Sequence, residues 1–153
     1  AEEFALQWQA KGGGLPARHC QGLAQLELGN AAAAAQTFAK AAQAAEAAKD
    51  PRAADFWGQA GNAALIAGDA RGAVPYFNSA IVAAGEFAPI RTANLLIDRA
   101  RAQVELADLA AAQTDFLAAA RADLDRATSL APDEPAGWLL VERSGRTRIA
   151  VLA

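Results

Sequence analysis

The residues best suited to catalysis in this 153-residue chain are its only histidine and its only cysteine, His19 and Cys20. An imidazole beside a thiol can serve as base and nucleophile when the two side chains reach each other and a third group orients the base. Adjacent side chains of a helix point about 100° apart, so this pair cannot readily form a hydrogen bond. We therefore predict a non-catalytic chain, with His19 on a binding surface beside a small, buried Cys20.

The remaining chemically active residues do not have the spacing of a metal or phosphate site. The carboxylate pairs at 2–3, 123–125 and 133–134 lack the pattern of a calcium loop. The triple glycine at 12–14 follows no strand and precedes no Lys-Ser/Thr pair, which excludes a phosphate-binding loop. One cysteine permits neither an intrachain disulfide nor a thiolate cluster. We expect no cofactor and no metal.

Composition favours an all-α protein. Of the 153 residues, 45 are alanine, the strongest helix former, whereas only 7% are aromatic. The net charge of −3 provides no basic field for nucleic acid, and no apolar run approaches the roughly 20 residues that span a bilayer. The excess of arginine over lysine suggests a bacterial source. Because the chain has no methionine, we expect it to be a piece of a longer gene product. The compartment stays open between bacterial cytoplasm and periplasm.

The sequence repeats with a step of 39 residues. Phe38, Phe77 and Phe116 mark one column, and a small residue marks a second column at positions 22, 61 and 100. A third column is a turn: Gly29-Asn30, Gly68-Asp69 and Ala107-Asp108 each combine a helix-ending residue with a helix-capping residue. Each unit is therefore predicted to be a helix, a tight turn and a second helix. The predicted helices cover roughly 2–11, 16–28, 31–48, 52–67, 70–84, 89–106, 109–130 and 134–143.

These columns resemble the tetratricopeptide-repeat (TPR) pattern W-x2-L-G-x2-Y…A-x3-F…P, whose usual period is about 34 residues. The second unit matches best, with Trp57-x2-Ala60-Gly61-x2-Ala64 followed by Ala73-x3-Phe77. The other units keep parts of the pattern: Gly22 with Ala34-x3-Phe38, then Ala100 with Ala112-x3-Phe116, then Trp138. The period of 39 is longer than usual, and the resemblance covers residues 16–140.

The resemblance implies antiparallel helical hairpins stacked as a right-handed TPR-like superhelix. The chain would divide into a half-unit at 1–15, units at 16–50, 51–88 and 89–132, and a partial unit at 133–153. The residues expected to pack one repeat against the next are Gly22, Phe38, Trp57, Gly61, Phe77, Ala100, Phe116 and Trp138.

In TPR proteins the first helices line a concave groove that holds a peptide or a partner helix. The resemblance therefore implies a groove surface, whose residues would be His19, Leu23, Asp55, Asn62, Leu65, Asn94, Ile97, Asp98 and Arg101. Some TPR domains clamp a partner's C-terminal carboxylate with lysine and asparagine. This face contains no lysine, so such a tail is not the expected ligand.

Two functions remain open at this stage. The first is a non-catalytic module that binds a protein or peptide segment in the groove. The alternative is an assembly module that forms a homodimer through its terminal helices. The identity of the partner does not follow from the sequence.

Overall fold

The computed structural model describes residues 1–85 and 88–130, and these residues form seven α-helices and no strand. The helices are α1 (Glu2–Ala10), α2 (Gly14–Glu27), α3 (Ala31–Ala47), α4 (Ala53–Ile66), α5 (Ala70–Ala84), α6 (Pro89–Glu105) and α7 (Leu109–Leu130). The expected all-helical class is confirmed for this part of the chain. The predicted helix at 134–143 and the partial unit at 133–153 lie outside the described residues.

Consecutive helices pack against each other along the whole described chain, and α4 also contacts α6. The pair α2/α3 is antiparallel, because Arg18 bonds to the carbonyl of Lys40 whereas Gln25, seven residues later, bonds to Thr37. The 39-residue step is visible in the helix bounds. The first helices of the pairs end at 27, 66 and 105, and the second helices begin at 31, 70 and 109.

The repeated turns share one hydrogen-bond pattern. The amide of Asn30 donates to Gln25, and the equivalent amides of Asp69 and Asp108 donate to the carbonyls of residues 64 and 103, at 2.8–2.9 Å. The residue before each of these amides has a positive φ, which is 78° at Gly29, 78° at Gly68 and 58° at Ala107. This geometry is a Schellman motif, which satisfies helix-terminal carbonyls and reverses the chain within a few residues. The turn therefore fixes the hairpin even where alanine replaces glycine.

Phenylalanine rings fill the space between the two helices of the first two hairpins. Phe38 and Phe77 are fully buried. A Cβ atom added at Gly22 would lie 2.4 Å from the Phe38 ring, and one at Gly61 would lie 2.6 Å from the Phe77 ring. Each glycine therefore provides the space that the opposing ring occupies. Trp57, also buried, donates from its indole N–H to Glu46 and stacks on Tyr76.

The third hairpin departs from the expected equivalence of the phenylalanines. Ala100 is buried, but Phe116 is 41% exposed. Position 100 carries the Cβ atom that positions 22 and 61 lack, so a ring cannot occupy the same place above it. No described helix follows α7 to cover the displaced ring. Trp138, the remaining expected packing residue, lies outside the described part of the chain.

Candidate functional site

A cleft lies between the first helices of two successive hairpins, α4 and α6. It has a volume of about 720 Å³. Its α4 wall includes Asp55, Gly58, Gln59 and Asn62, and its lining from α6 and the residue before it consists of Ala88, Pro89, Ile90, Arg91, Asn94, Leu95 and Asp98. Four residues of the expected groove surface therefore meet in one cleft: Asp55, Asn62, Asn94 and Asp98.

A smaller cleft of about 240 Å³ lies between α2 and α4. It is lined by Pro16, His19, Cys20, Arg52, Asp55, Phe56 and Gln59. Adding 39 to each of these seven positions gives 55, 58, 59, 91, 94, 95 and 98, all of which line the larger cleft. The two clefts are thus repeat-equivalent, and they share Asp55 and Gln59. Together they form one surface along α2, α4 and α6, which we call the groove.

Ion pairs within the protein neutralise most of the charge in the groove. The Arg91 guanidinium lies 3.2 Å from the carboxylate of Asp55. The carboxylate of Asp98 accepts hydrogen bonds from Arg101 at 3.0 Å and from Asn62 at 3.3 Å. A ligand that displaced these partners would have to replace their hydrogen bonds, so the groove favours a segment of low net charge.

Arg52, in the smaller cleft, is held by a residue outside the groove. Its guanidinium donates to both carboxylate oxygens of Asp50, at 2.9 and 2.6 Å. The Arg52 side chain and its backbone amide both bond to Asp50 and lower the pKa of that carboxyl to about 2. This fork-shaped pairing leaves Arg52 less able to rearrange toward a ligand than a free arginine would be.

One buried acceptor between the two clefts has no partner. The side-chain carbonyl oxygen of Gln59 is inaccessible and accepts no hydrogen bond from the described residues. Buried polar atoms are usually satisfied by protein or water, so this oxygen would accept an N–H from a bound segment only if the Gln59 side chain turned toward the cleft. Gln59 lies one helical turn from Asp55, and the two residues bridge the clefts.

The neighbours His19 and Cys20 both line the smaller cleft, but their surroundings differ from a nucleophile and its base. The His19 ring lies edge-on to Phe56, with centroids 5.6 Å apart, and 6.0 Å from the Phe38 ring. Cys20 is exposed, so the expectation of a buried cysteine is wrong. The reason is the direction of its side chain, which faces the cleft between α2 and α4 and not the α2/α3 interface.

The other residues expected in the groove lie beside the two clefts and do not line them. Leu23 is exposed, Leu65 packs against the hydrophobic core, and Ile97 is half-buried. Arg101 is 66% exposed and reaches the groove only through Asp98. These four residues follow the cleft residues by three or four positions on the same helices, but they line neither cleft.

Two groove cations, Arg52 and Arg91, were missed by the sequence argument, which considered Arg101 alone. They are 39 residues apart and occupy equivalent positions in their repeats. That spacing was the available signal. The spacing was overlooked because the TPR pattern assigns no packing role to these two positions. Arg52 lies just before α4, and Arg91 lies in the first turn of α6.

Comparison with known proteins assigns no family. No protein-family model matches the chain, and a search of curated proteins returns no significantly similar sequence. Within the described residues, no three His, Cys, Asp or Glu side chains are grouped so as to hold a metal ion. None of the seven described helices is both long enough and apolar enough to cross a membrane.

Proposed function

We propose that this chain is a TPR-like helical-repeat module, of bacterial origin, that binds a protein or peptide segment in the groove along α2, α4 and α6. Its hairpins would stack as a right-handed superhelix with the groove on the concave side. We further propose that the module is not an enzyme, because its only histidine is packed between two aromatic rings and forms no described hydrogen bond with Cys20.

The observation that carries this proposal is the equivalence of the two clefts. A surface that repeats with the fold offers the same kind of contact at successive positions, which suits an extended or helical segment lying across several helices. The groove combines apolar residues with amide side chains such as Asn62 and Asn94, which can bond to a peptide backbone as both donor and acceptor.

The test uses a phage-displayed library of random peptides, selected against the whole chain. An enriched peptide is synthesised, and its affinity is measured by fluorescence anisotropy. One small groove should bind with a dissociation constant on the order of micromolar, because area alone does not give high affinity. Replacing both cleft amides, Asn62→Ala with Asn94→Ala, should weaken binding at least tenfold, about 1.4 kcal/mol.

The matched control removes two exposed amides from α3, which lines neither cleft, through Gln36→Ala with Gln43→Ala. This control should bind the peptide as the wild type does. The proposal fails if no peptide is enriched, or if the α3 variant loses binding while the groove variant keeps it.

A second function is favoured by a different observation. Helix α1 leaves Phe4 71% exposed, Leu6 47% exposed and Trp8 38% exposed. Three large apolar side chains on one short helix suggest contact with another protein surface. The chain would then be an assembly module that forms a homodimer through its terminal helices, as considered from the sequence.

A further inference from the structure

Another cavity, of about 300 Å³, lies where α1, α2 and α3 meet, and we call it the outer pocket. It is lined by Leu6, Gln9, Arg18, Gln21, Thr37 and Lys40. Its two α2 residues, Arg18 and Gln21, lie on the opposite side of that helix from the groove residues at positions 16, 19 and 20, because successive residues of a helix are about 100° apart. The outer pocket is therefore separate from the groove.

In the second hairpin, two aromatic rings occupy the equivalent positions of the repeat. Adding 39 to positions 18 and 37 gives Trp57 and Tyr76, whose rings stack with their centroids 5.8 Å apart. Trp57 is buried, and its indole N–H donates to Glu46 at 2.8 Å. The first hairpin has Arg18 and Thr37 at these two positions, and both line the outer pocket.

In the third hairpin, the same part of the repeat contains an arginine bound to a carboxylate. Arg99, which is equivalent to Gln21, donates to both carboxylate oxygens of Asp115, at 2.7 and 2.6 Å. Asp115 is equivalent to Thr37, and its side chain is only 6% exposed. This part of the repeat can therefore hold a fork-shaped pair of arginine and carboxylate between packed helices.

The outer pocket has the cations of such a site but no carboxylate in its lining. Arg18 is half-buried, and its described hydrogen bond is a long one, 3.4 Å to the carbonyl oxygen of Lys40. Neither Arg18 nor Lys40 forms an ion pair among the described residues. The carboxylate of Glu2 on α1 lies outside the lining and accepts a hydrogen bond from Gln25 at 2.8 Å. A guanidinium has five N–H donors, so Arg18 keeps donors and positive charge available to a ligand.

We propose that the outer pocket binds an oxyanion, the carboxylate or phosphate group of a small-molecule ligand, with Arg18 as the fork-shaped donor and Lys40 as the second positive charge. Arginine pairs with either group through two parallel hydrogen bonds, and lysine acts as a point charge. The side-chain amides of Gln9 and Gln21 provide neutral donors beside these cations. This inference goes beyond the proposed function, because the outer pocket and the groove share no lining residue.

The test titrates the whole chain, labelled with nitrogen-15, with sodium phosphate and separately with sodium succinate, followed by two-dimensional NMR. Constant ionic strength keeps the general screening of charges the same at every point. We expect saturable shifts of the signals of Gln9, Gln21 and Thr37. Replacing both cations, Arg18→Gln with Lys40→Gln, should weaken the binding at least tenfold. Saturation with only one of the two salts would support the site and identify the group that it prefers.

The matched control removes two exposed arginines that do not line the outer pocket, through Arg71→Gln with Arg121→Gln. It changes the net charge by the same amount, so it should bind the anion as the wild type does. Arg18→Trp copies the residue at position 57 and should abolish binding by filling the pocket.

The proposal is overturned if neither salt causes saturable shifts at the outer pocket. Equal losses in the two double variants would also overturn it, because the overall charge of the protein would then explain the binding. If thermal unfolding shows that Arg18→Gln with Lys40→Gln is not folded, the comparison is made with Lys40→Gln alone. Lys40 is exposed, so this variant should fold, and an unchanged affinity for both anions would overturn the site.

Discussion

At the scale of single residues, the glycine–phenylalanine pairs determine how closely the hairpin helices approach. Gly22 faces Phe38 and Gly61 faces Phe77, each with no room for a further carbon atom. The third hairpin is an internal comparison, because it carries Ala100 opposite Phe116. There the phenylalanine is 41% exposed, whereas its two counterparts are fully buried. The hairpin that has alanine in place of glycine at this position is therefore also the one whose phenylalanine ring is not buried.

We accordingly predict that Gly61→Ala lowers the stability of the protein although alanine is the better helix former. Overpacking costs about 1–3 kcal/mol, and the helix-propensity gain of about 1 kcal/mol offsets only part of it. Gly61→Leu should be more damaging still. Urea unfolding followed by circular dichroism gives the free energy of unfolding for each variant.

The control for this prediction is Gly58→Ala, which lies in the same helix and whose added carbon meets only the end of Leu95. It should match or exceed the wild type in stability. If Gly61→Ala and Gly58→Ala have the same unfolding free energy, the glycine–phenylalanine contact does not limit the packing.

At the scale of helices, one arginine joins three elements in the second half of the chain. Arg99 on α6 donates to both carboxylate oxygens of Asp115 on α7, at 2.7 and 2.6 Å, and to Asn78 on α5 at 2.7 Å. Asp115 is only 4% exposed. Asp115 occupies the same position in its repeat as Thr37 and Tyr76. In the preceding hairpin Tyr76 stacks on Trp57, whereas Asp115 forms hydrogen bonds with Arg99.

Removing the charge of Asp115 should therefore weaken the packing of α7. Hydrogen bonds to charged groups contribute about 1.5–3 kcal/mol, so we expect Asp115→Asn to lower the free energy of unfolding by an amount in that range. The exposed pair of Arg101 with Asp98 is the comparison, because such surface pairs contribute about 0–1 kcal/mol. Arg101→Ala should therefore unfold nearly as the wild type does. Similar losses in the two variants would show that the α6–α7 pair adds nothing beyond a surface contact.

At the scale of the whole molecule, the first helix leaves large apolar side chains uncovered. Trp8 lies over Gly13, and Ala5 is buried against the rest of the chain, but Phe4 remains 71% exposed. If α1 is an interface between two copies, the protein should dimerise with increasing concentration. Sedimentation equilibrium should then show a mass that rises toward twice 15.7 kDa. Phe4→Lys should keep the protein monomeric, because a charge would be buried without a partner.

Val82, which is 81% exposed on α5, provides the control for α1. Val82→Lys should dimerise as the wild type does, since an isolated exposed apolar residue needs no partner. A wild-type protein that stays monomeric up to millimolar concentration would rule out the assembly function and leave groove binding unaffected.

The helix bounds could be predicted from the sequence because their signals are local. A residue that tolerates positive φ, followed by a helix-capping residue, ends one helix and starts the next, and three such pairs at 29–30, 68–69 and 107–108 determine the hairpins. The structure begins α2 at Gly14, two residues before the prediction, and the 39-residue step holds for the ends of the first helices and the starts of the second helices. Five cleft residues, His19, Asp55, Asn62, Asn94 and Asp98, were also anticipated, because the resemblance to the TPR pattern assigns the groove face to the first helices.

The sequence by itself thus determined the all-helical class of the described chain, its repeat and its turns, all of which depend on contacts between residues close in the chain. The tertiary structure alone decided which groove residues meet in a cleft, how their charges pair, and that Phe116 leaves the core. These features depend on the distance between helices of different hairpins. Residues of one column, such as His19 and Gly58 or Gly61 and Ala100, differ in size, so the space beside them differs from one hairpin to the next. A difference of a few atoms at one position of the repeat changes the space available to the neighbouring residues. A pattern of residues close in the chain does not predict that change.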